Sequence, residues 1–365
     1  MKKTLFILLL LSPIILSGCS LSLTGSSASN KNSAGVFKSY DFGERWQASN
    51  HVKDTAKSNL NNLNIKKIAF DNNDHTKVYL AAENEGIWYS EDAGNNWQNI
   101  LARGTAYDLA LDPKNSGIVF ASFGNQVNKT IDLGKNWQQL YLETRTNVLI
   151  TSIAIDPNDN LILYLGSSNS EIYKTSDGGK SWQLIQKNEN NKDIIKKIII
   201  NPQNSKIIYA ATAASGIYKT TDAGKTWQNL KDNYYNLRDK NNQRLFPKSE
   251  VFYDLAPDLT QPDALLYASQ YGLLKSADGG KTWQEIKLLT PPNSTNARIN
   301  TLTINPKDNQ QIYYATNSVL YRSFDGGKTW LSNSIPSIRF ASFLAVDPIT
   351  PNVLYFGLID KPRGK

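Results

Sequence analysis

A chain of 365 residues, 40% of them hydrophobic, is long enough to bury a core as one domain or two. Its single cysteine excludes an internal disulfide framework, and two histidines beside that lone thiol leave no Cys/His metal cluster. The formal charge of +8 comes without an arginine-rich run or a basic helix, which argues against a nucleic-acid partner.

At the amino end, Lys2 and Lys3 precede the apolar run Leu5 to Leu16, which is too short to span a bilayer comfortably and has the layout of a secretory signal. The run closes with Leu16-Ser17-Gly18-Cys19, which resembles the lipobox of bacterial lipoproteins, whose cysteine becomes the acylated first residue. The expectation is a signal peptide over 1–18, then a lipid anchor on Cys19 that holds the exported chain to the bacterial cell membrane or outer membrane. Residues 19–34, rich in Ser, Gly and Asn with little to bury, read as a flexible tether.

From residue 35 onward one eight-residue box recurs seven times: Ser39 to Trp46 (SYDFGERW), Ser90 to Trp97 (SEDAGNNW), Thr130 to Trp137 (TIDLGKNW), Thr175 to Trp182 (TSDGGKSW), Thr220 to Trp227 (TTDAGKTW), Ser276 to Trp283 (SADGGKTW) and Ser323 to Trp330 (SFDGGKTW). Ser/Thr, Asp, Gly and Trp keep fixed offsets, the acids being Asp41, Asp92, Asp132, Asp177, Asp222, Asp278 and Asp325. A short carboxylate accepts hydrogen bonds from backbone N–H groups a few residues on, Gly supplies the positive φ of a tight turn, and Trp anchors the returning strand. Each box is therefore expected to be a hairpin.

Consecutive box tryptophans lie 40 to 56 residues apart, the period of a four-stranded propeller blade. A second motif repeats in step: IKKIAFDN from Ile65, AYDLALDP from Ala106, ITSIAIDP from Ile150, IKKIIINP from Ile195, INTLTINP from Ile299 and FLAVDP from Phe343, with FYDLAPD from Phe252 as the imperfect member. One unit reads strand, polar turn, strand, loop, strand, box, strand. The chain enters with a third strand, Gly35 to Ser39, and leaves with a first and second, Phe343 to Gly357; joining these half blades closes the ring and removes exposed sheet edges. The prediction is an all-β, seven-bladed β-propeller over 35–365, a single domain and a monomer.

The boxes resemble the Asp-box, or BNR repeat, of sialidases, sortilin-type receptors, xyloglucanases and photosystem II assembly factors. That resemblance implies a propeller with its boxes in outer hairpins away from the functional face. The sortilin-type and photosystem II assembly propellers are non-catalytic, which implies a binding or assembly module.

In such a ring the boxes and Asp-Pro turns share one face, and the blade-to-blade loops share the other. Six of the nine arginines, Arg103, Arg145, Arg238, Arg244, Arg298 and Arg339, fall in blade-to-blade connections, and the longest interval adds Tyr234 and Tyr235. These eight are the expected binding residues: guanidinium forks and aromatic rings suit an acidic protein segment or an anionic glycan. A glycoside hydrolase is the alternative, and would need two carboxyls at a defined separation. Asp108 and Asp254, heading first strands in the third and sixth units, are its candidates, although strand-start acids also cap backbone groups. The sialidase Arg-Ile-Pro motif is lacking, and the xyloglucanase cleft lies between two propellers where this chain has one. Asp71 to Asp74 and Asp156 to Asp159 lack the glycine and distal glutamate of an EF-hand loop, so no metal or other cofactor is expected.

Overall fold

The computed structural model describes residues 34–53, 59–187, 193–291 and 298–361; the signal peptide, Cys19 and nearly all of the expected tether lie outside them. The described residues form seven four-stranded antiparallel sheets arranged as a seven-bladed β-propeller, with one short 3₁₀ turn at Lys231–Asn233. Blades 2 to 7 each take four consecutive strands, and no helix among the described residues is long and apolar enough to cross a membrane.

Blade 1 is made from both ends of the chain. Its first and second strands are Phe340–Val346 and Leu354–Ile359, and its third and fourth are Val36–Ser39 and Gln47–Ala48. The seam pairs Val36 with Gly357, Phe37 with Phe356, Lys38 with Tyr355 and Ser39 with Leu354.

Burial is greatest in the second strands and least at the rim. Second strands such as Val78–Ala82, Leu163–Ser167 and Ile208–Thr212 are buried at every position, because each lies between two neighbouring sheets; this is why they read as unbroken apolar runs. Fourth strands such as Gln138–Leu142 are largely exposed on the rim. The apolar clusters sit between blades: one joins Val36, Val353 and Tyr355 of blade 1 to Ile68, Leu80 and Trp88 of blade 2, and another joins Tyr209 and Ile217 of blade 5 to Leu255 and Trp283 of blade 6. Apolar area buried there stabilises by about 25 cal/mol per Å².

Every box folds alike. The Ser/Thr hydroxyl donates to the Asp carboxylate at 2.7–2.9 Å and accepts the Gly N–H at 2.8–3.0 Å. The same carboxylate accepts the N–H four residues on, at 2.8–3.0 Å. Hydrogen bonds from the Thr329 hydroxyl and backbone N–H hold Asp325 at about 2, so it is ionised at any ordinary pH. Two consecutive residues take positive φ: the invariant Gly and, before it, Phe42, Ala93, Leu133, Gly178, Ala223, Gly279 or Gly326. That preceding residue donates its N–H to the Asp-Pro turn of the same blade at 2.7–3.2 Å, which places boxes and turns on one face. Three box tryptophans donate to the preceding blade, Trp97 Nε1 to the Ser49 carbonyl, Trp137 to Ile100 and Trp330 to Lys287, whereas Trp283 donates within its own box, to the Gly280 carbonyl.

The Asp-Pro turns form a second girdle on that face. Asp71, Asp112, Asp156, Asp258 and Asp347 each cap their own turn, and each takes a side chain from the next blade: Ser116, Asn160, Ser205, Asn309 and His75. The acids of 71–74 and 156–159 are thus occupied as turns, and the described residues contain no cluster of metal-ligating side chains.

The box glycines touch the neighbouring blade directly. A Cβ on Gly224, at φ +92°, would lie 2.5 Å from Ile185 Cδ1 of blade 4, whereas a Cβ on Gly104, at φ +51°, meets nothing within 4 Å. Gly224→Ala should cost about 2–4 kcal/mol from backbone strain plus overpacking, and Gly104→Ala about 1 kcal/mol from strain alone. Thermal unfolding of the two variants measures the difference; equal shifts would mean the box does not set the blade spacing.

Candidate functional site

At the head of six first strands the register against the second strand shifts at the same step: between Ile65 and Lys67, Ala106 and Asp108, Ile150 and Ser152, Ile195 and Lys197, Phe252 and Asp254, and Ala341 and Phe343. Such a bulge leaves one residue outside the ladder and re-aims its side chain. The bulged residues are Lys66, Tyr107, Thr151, Lys196, Tyr253 and Ser342.

The residue after the bulge ties its blade to the next. Asp108 Oδ2 accepts the Ile153 N–H at 2.9 Å, Ser152 Oγ the Ile198 N–H at 3.1 Å and Asp254 Oδ2 the Leu302 N–H at 2.9 Å; in blade 7, whose first strand carries no bulge there, Thr301 Oγ1 accepts the Leu344 N–H at 3.0 Å. Lysines at the same position in the preceding blade complete the two acids: Lys67 Nζ lies 2.5 Å from Asp108 Oδ1, and Lys197 Nζ lies 2.8 Å from Asp254 Oδ1. Each of these oxygens also accepts the following N–H, from Leu109 or Leu255. Asp108 and Asp254 are committed to holding blades together, and neither has a free oxygen to offer a substrate.

The bulged lysines have another setting. Lys66 and Lys196 stand in blades 2 and 5, on nearly opposite sides of the ring, yet Lys196 feels the charges of both Lys66 and Arg298. Crowding by protein lowers the Lys196 pKa first; Asp193 opposes the shift, and Arg298 and Lys66 add to it. Lys66 and Lys196 hold the bulged position of the first strands of their blades, and Lys196 is exposed there. Asp193 is already bonded to the N–H groups of Ile194, Ala214 and Ser215, and Lys66 has Glu83 at 3.7 Å. Arg298 lies over the Tyr253 ring, 4.9 Å from its centroid. Lys66 and Lys196 were missed in the sequence, although the tetrapeptide Ile-Lys-Lys-Ile at the same blade position in two units was a signal for them.

The eight residues expected to bind a partner do not share one environment. Arg103 is exposed, with Nη2 3.1 Å from Gln126 Oε1. Arg145 is consumed: its guanidinium donates to Glu143 and Glu171, both buried, and to the Tyr173 hydroxyl. Arg339 pairs with Asp360 and is largely covered. Tyr234, expected on the loop face, is 0% exposed and packs edge-on against Tyr267 and Trp283, because a long insertion must bury something to be ordered. Tyr235 stays partly exposed, sandwiched by Arg244 at 4.0 Å and Lys231 at 4.9 Å. Arg238 and Arg244 are exposed and face each other across an antiparallel bridge.

Hydrogen bonds from Arg145 hold Glu143 at about 2, and Glu171 is lowered by the same group. Since the folded pKa of Glu143 lies below its unfolded value, its contribution is full above roughly pH 4.5 and fades as the pH falls toward 2. Arg145→Ala leaves two buried carboxylates unpaired and should cost about 3–5 kcal/mol at pH 7. The gap between variant and parent in urea melts should narrow below pH 4; a gap independent of pH would show that the arginine acts through packing alone.

With this geometry in place, comparison with known proteins is informative about the fold. A family model described as "Sortilin, neurotensin receptor 3" matches residues 170–250, from blade 4 through the insertion after blade 5. Among solved structures, a GH74 xyloglucanase from Xanthomonas campestris superposes with a TM-score of 0.64 at 17% identity, covering 82% of this chain and 51% of its own. A structure of YCF48 bound to D1 peptide superposes with a TM-score of 0.60 at 16% identity, covering 83% of this chain and 94% of its own. YCF48 from Cyanidioschyzon merolae gives 0.59 at 14%, covering 81% and 95%. The chain therefore spans about half the length of the GH74 chains it matches and nearly the whole length of YCF48. No curated protein matches it in sequence. At these identities the likeness is one of fold: a seven-bladed propeller similar to sortilin-type and YCF48 propellers.

Proposed function

We propose that this chain is a lipid-anchored, extracytoplasmic binding or assembly module, exported by residues 1–18 and held at Cys19, that takes an acidic protein segment or an anionic glycan on its loop face. The observation that carries the reading is the placement of Lys66 and Lys196 at the bulged positions of two first strands and of Arg298 over Tyr253, the bulged residue of a third; Lys66 has Glu83 at 3.7 Å, and Asp193 near Lys196 is already tied to three backbone N–H groups. Cations that repel one another are stabilised by an anion that binds among them. Support also comes from proportion: the fold matches nearly all of YCF48, one structure of which is bound to a peptide, but only half of a xyloglucanase.

The hydrolase alternative needs two open carboxyls, roughly 5 to 9.5 Å apart. Asp108 and Asp254 are closed by lysines and backbone N–H groups, and Glu143 and Glu171 by Arg145. A binding module keeps such acids for structure, as here.

Binding of a fluorescein-labelled hexaglutamate peptide and of oligogalacturonate, at two salt concentrations, tests the reading. Affinity should fall with salt, and the triple variant Lys66→Glu, Lys196→Glu, Arg298→Glu should lose at least tenfold. The matched control, Lys180→Glu, Lys225→Glu and Lys281→Glu on the box face, should bind like the parent. Equal losses in both triples would mean that net charge alone matters, and release of reducing ends from xyloglucan would favour the hydrolase.

A further inference from the structure

We propose a second docking site beside blade 6: a groove that takes one large apolar side chain of an acidic peptide, with the insertion between blades 5 and 6 holding the acidic part. The proposal rests on the binding-module reading above but uses different residues. Its first observation is a groove of about 380 Å³ between the loop at Tyr271-Gly272 and the segment running from Ile286 to Pro291. Leu273, Ile286 and Leu288 give it apolar walls, and Glu285 and Lys287 give it a charged rim. A Cβ on Gly272 would meet only Leu288, at 3.7 Å, so the groove stays open there. Leu289 at its edge is 60% exposed and so is available to a bound side chain. A volume of this size accommodates a bulky side chain with part of its backbone.

The second observation is the lobe against which this groove is built. Tyr271 lines the groove and packs edge-on against Phe246 of the insertion, ring centroids 5.3 Å apart, so groove and lobe share a wall. The lobe is rigid. Tyr234 and Phe246 anchor it in the core, the Tyr267 hydroxyl donates to the Ser249 carbonyl at 2.5 Å, and Asp239 caps the N–H groups of Asn241 and Gln243 under the Arg238–Arg244 bridge. Between 231 and 248 the chain carries Lys231, Arg238, Lys240, Arg244 and Lys248 against only Asp232 and Asp239. Both acids are engaged, Asp232 with Asn236 and Asp239 in its cap, which leaves the exposed Arg238, Lys240 and Arg244 as the lobe's outward charge. A rigid basic lobe sharing a wall with an open apolar groove is complementary to a segment that has acids and, a few residues on, one bulky apolar residue.

The test uses the full chain and three labelled, amidated peptides: four glutamates, a Gly-Ser spacer and Phe; the same peptide with Ser in place of Phe; and the Phe peptide with glutamines for the glutamates. The Phe peptide should bind at least tenfold more tightly than the Ser peptide. Leu289→Asp, at an exposed position that does not threaten folding, should erase that preference and leave the Ser peptide's affinity unchanged. Arg238→Glu with Arg244→Glu should weaken the Phe peptide, and the glutamine peptide should bind poorly throughout. Equal affinity for the Phe and Ser peptides, or a Phe preference that survives Leu289→Asp, overturns the groove. The triple variant Lys66→Glu, Lys196→Glu, Arg298→Glu separates the two readings: loss of all binding there, with no Phe preference in the parent, removes the groove and leaves the first site, whereas an intact Phe preference in that variant keeps the groove whatever becomes of the first site. No binding of any peptide removes both.

Discussion

Each sheet in this molecule has two apolar faces and can bury them only against two neighbours. Strands such as Leu163–Ser167, buried at every position, have no solvent side at all, so a blade standing alone would expose what a core normally hides. The ring is the solution, and it is complete only when Val36–Ser39 finds Leu354–Ile359, strands from opposite ends of the chain. Until that seam forms, blade 1 is in two halves, and the clusters it shares with blades 7 and 2 cannot both assemble. The seven interfaces are therefore coupled through the least local pairing in the fold.

The fold was legible because its signals are local and repeated. Asp, Gly and Trp at fixed offsets state a turn chemistry that needs nothing beyond eight residues, and seven repetitions at blade spacing state the architecture. What the boxes concealed is the second positive-φ residue, occupied in four boxes by Phe42, Ala93, Leu133 and Ala223, which no composition rule would choose; the hydrogen bond to the neighbouring turn holds them there. The site was less legible because its partners are not local. Lys66 and Lys196 are set apart only by the register of the folded strands, which leaves each outside its ladder. Arg145 read as a free guanidinium because Glu171 reaches it from the next blade, although Glu143, two residues away, was visible. Tyr234 is an aromatic residue in a polar loop, and sequence does not distinguish an anchor from a contact surface.

The bulge in the first strands explains how one scaffold separates these roles. The residue that stays in the ladder, such as Asp108 or Ser152, ties one blade to the next, and the residue beside it is pushed out of the ladder. Ladder residues and bulged residues are adjacent in sequence yet do different work. The bulged positions already vary from Lys to Tyr, Thr and Ser without altering the blades, so the chemistry at these positions can change independently of the fold.

The seam has a mechanical consequence. Val36 opposes Gly357 and Ser39 opposes Leu354, so the two strands run antiparallel and the outward chain leaves from Val36 and from Ile359 at the same edge of the blade. Tension between those two points does not shear the strands past one another; it peels them, loading the Leu358-to-Gly35 hydrogen bond first and then each pair from Val36–Gly357 inward. Thermal unfolding must disrupt a whole interface at once, whereas a pull on the chain opens the ring one hydrogen bond at a time, where the chain meets itself.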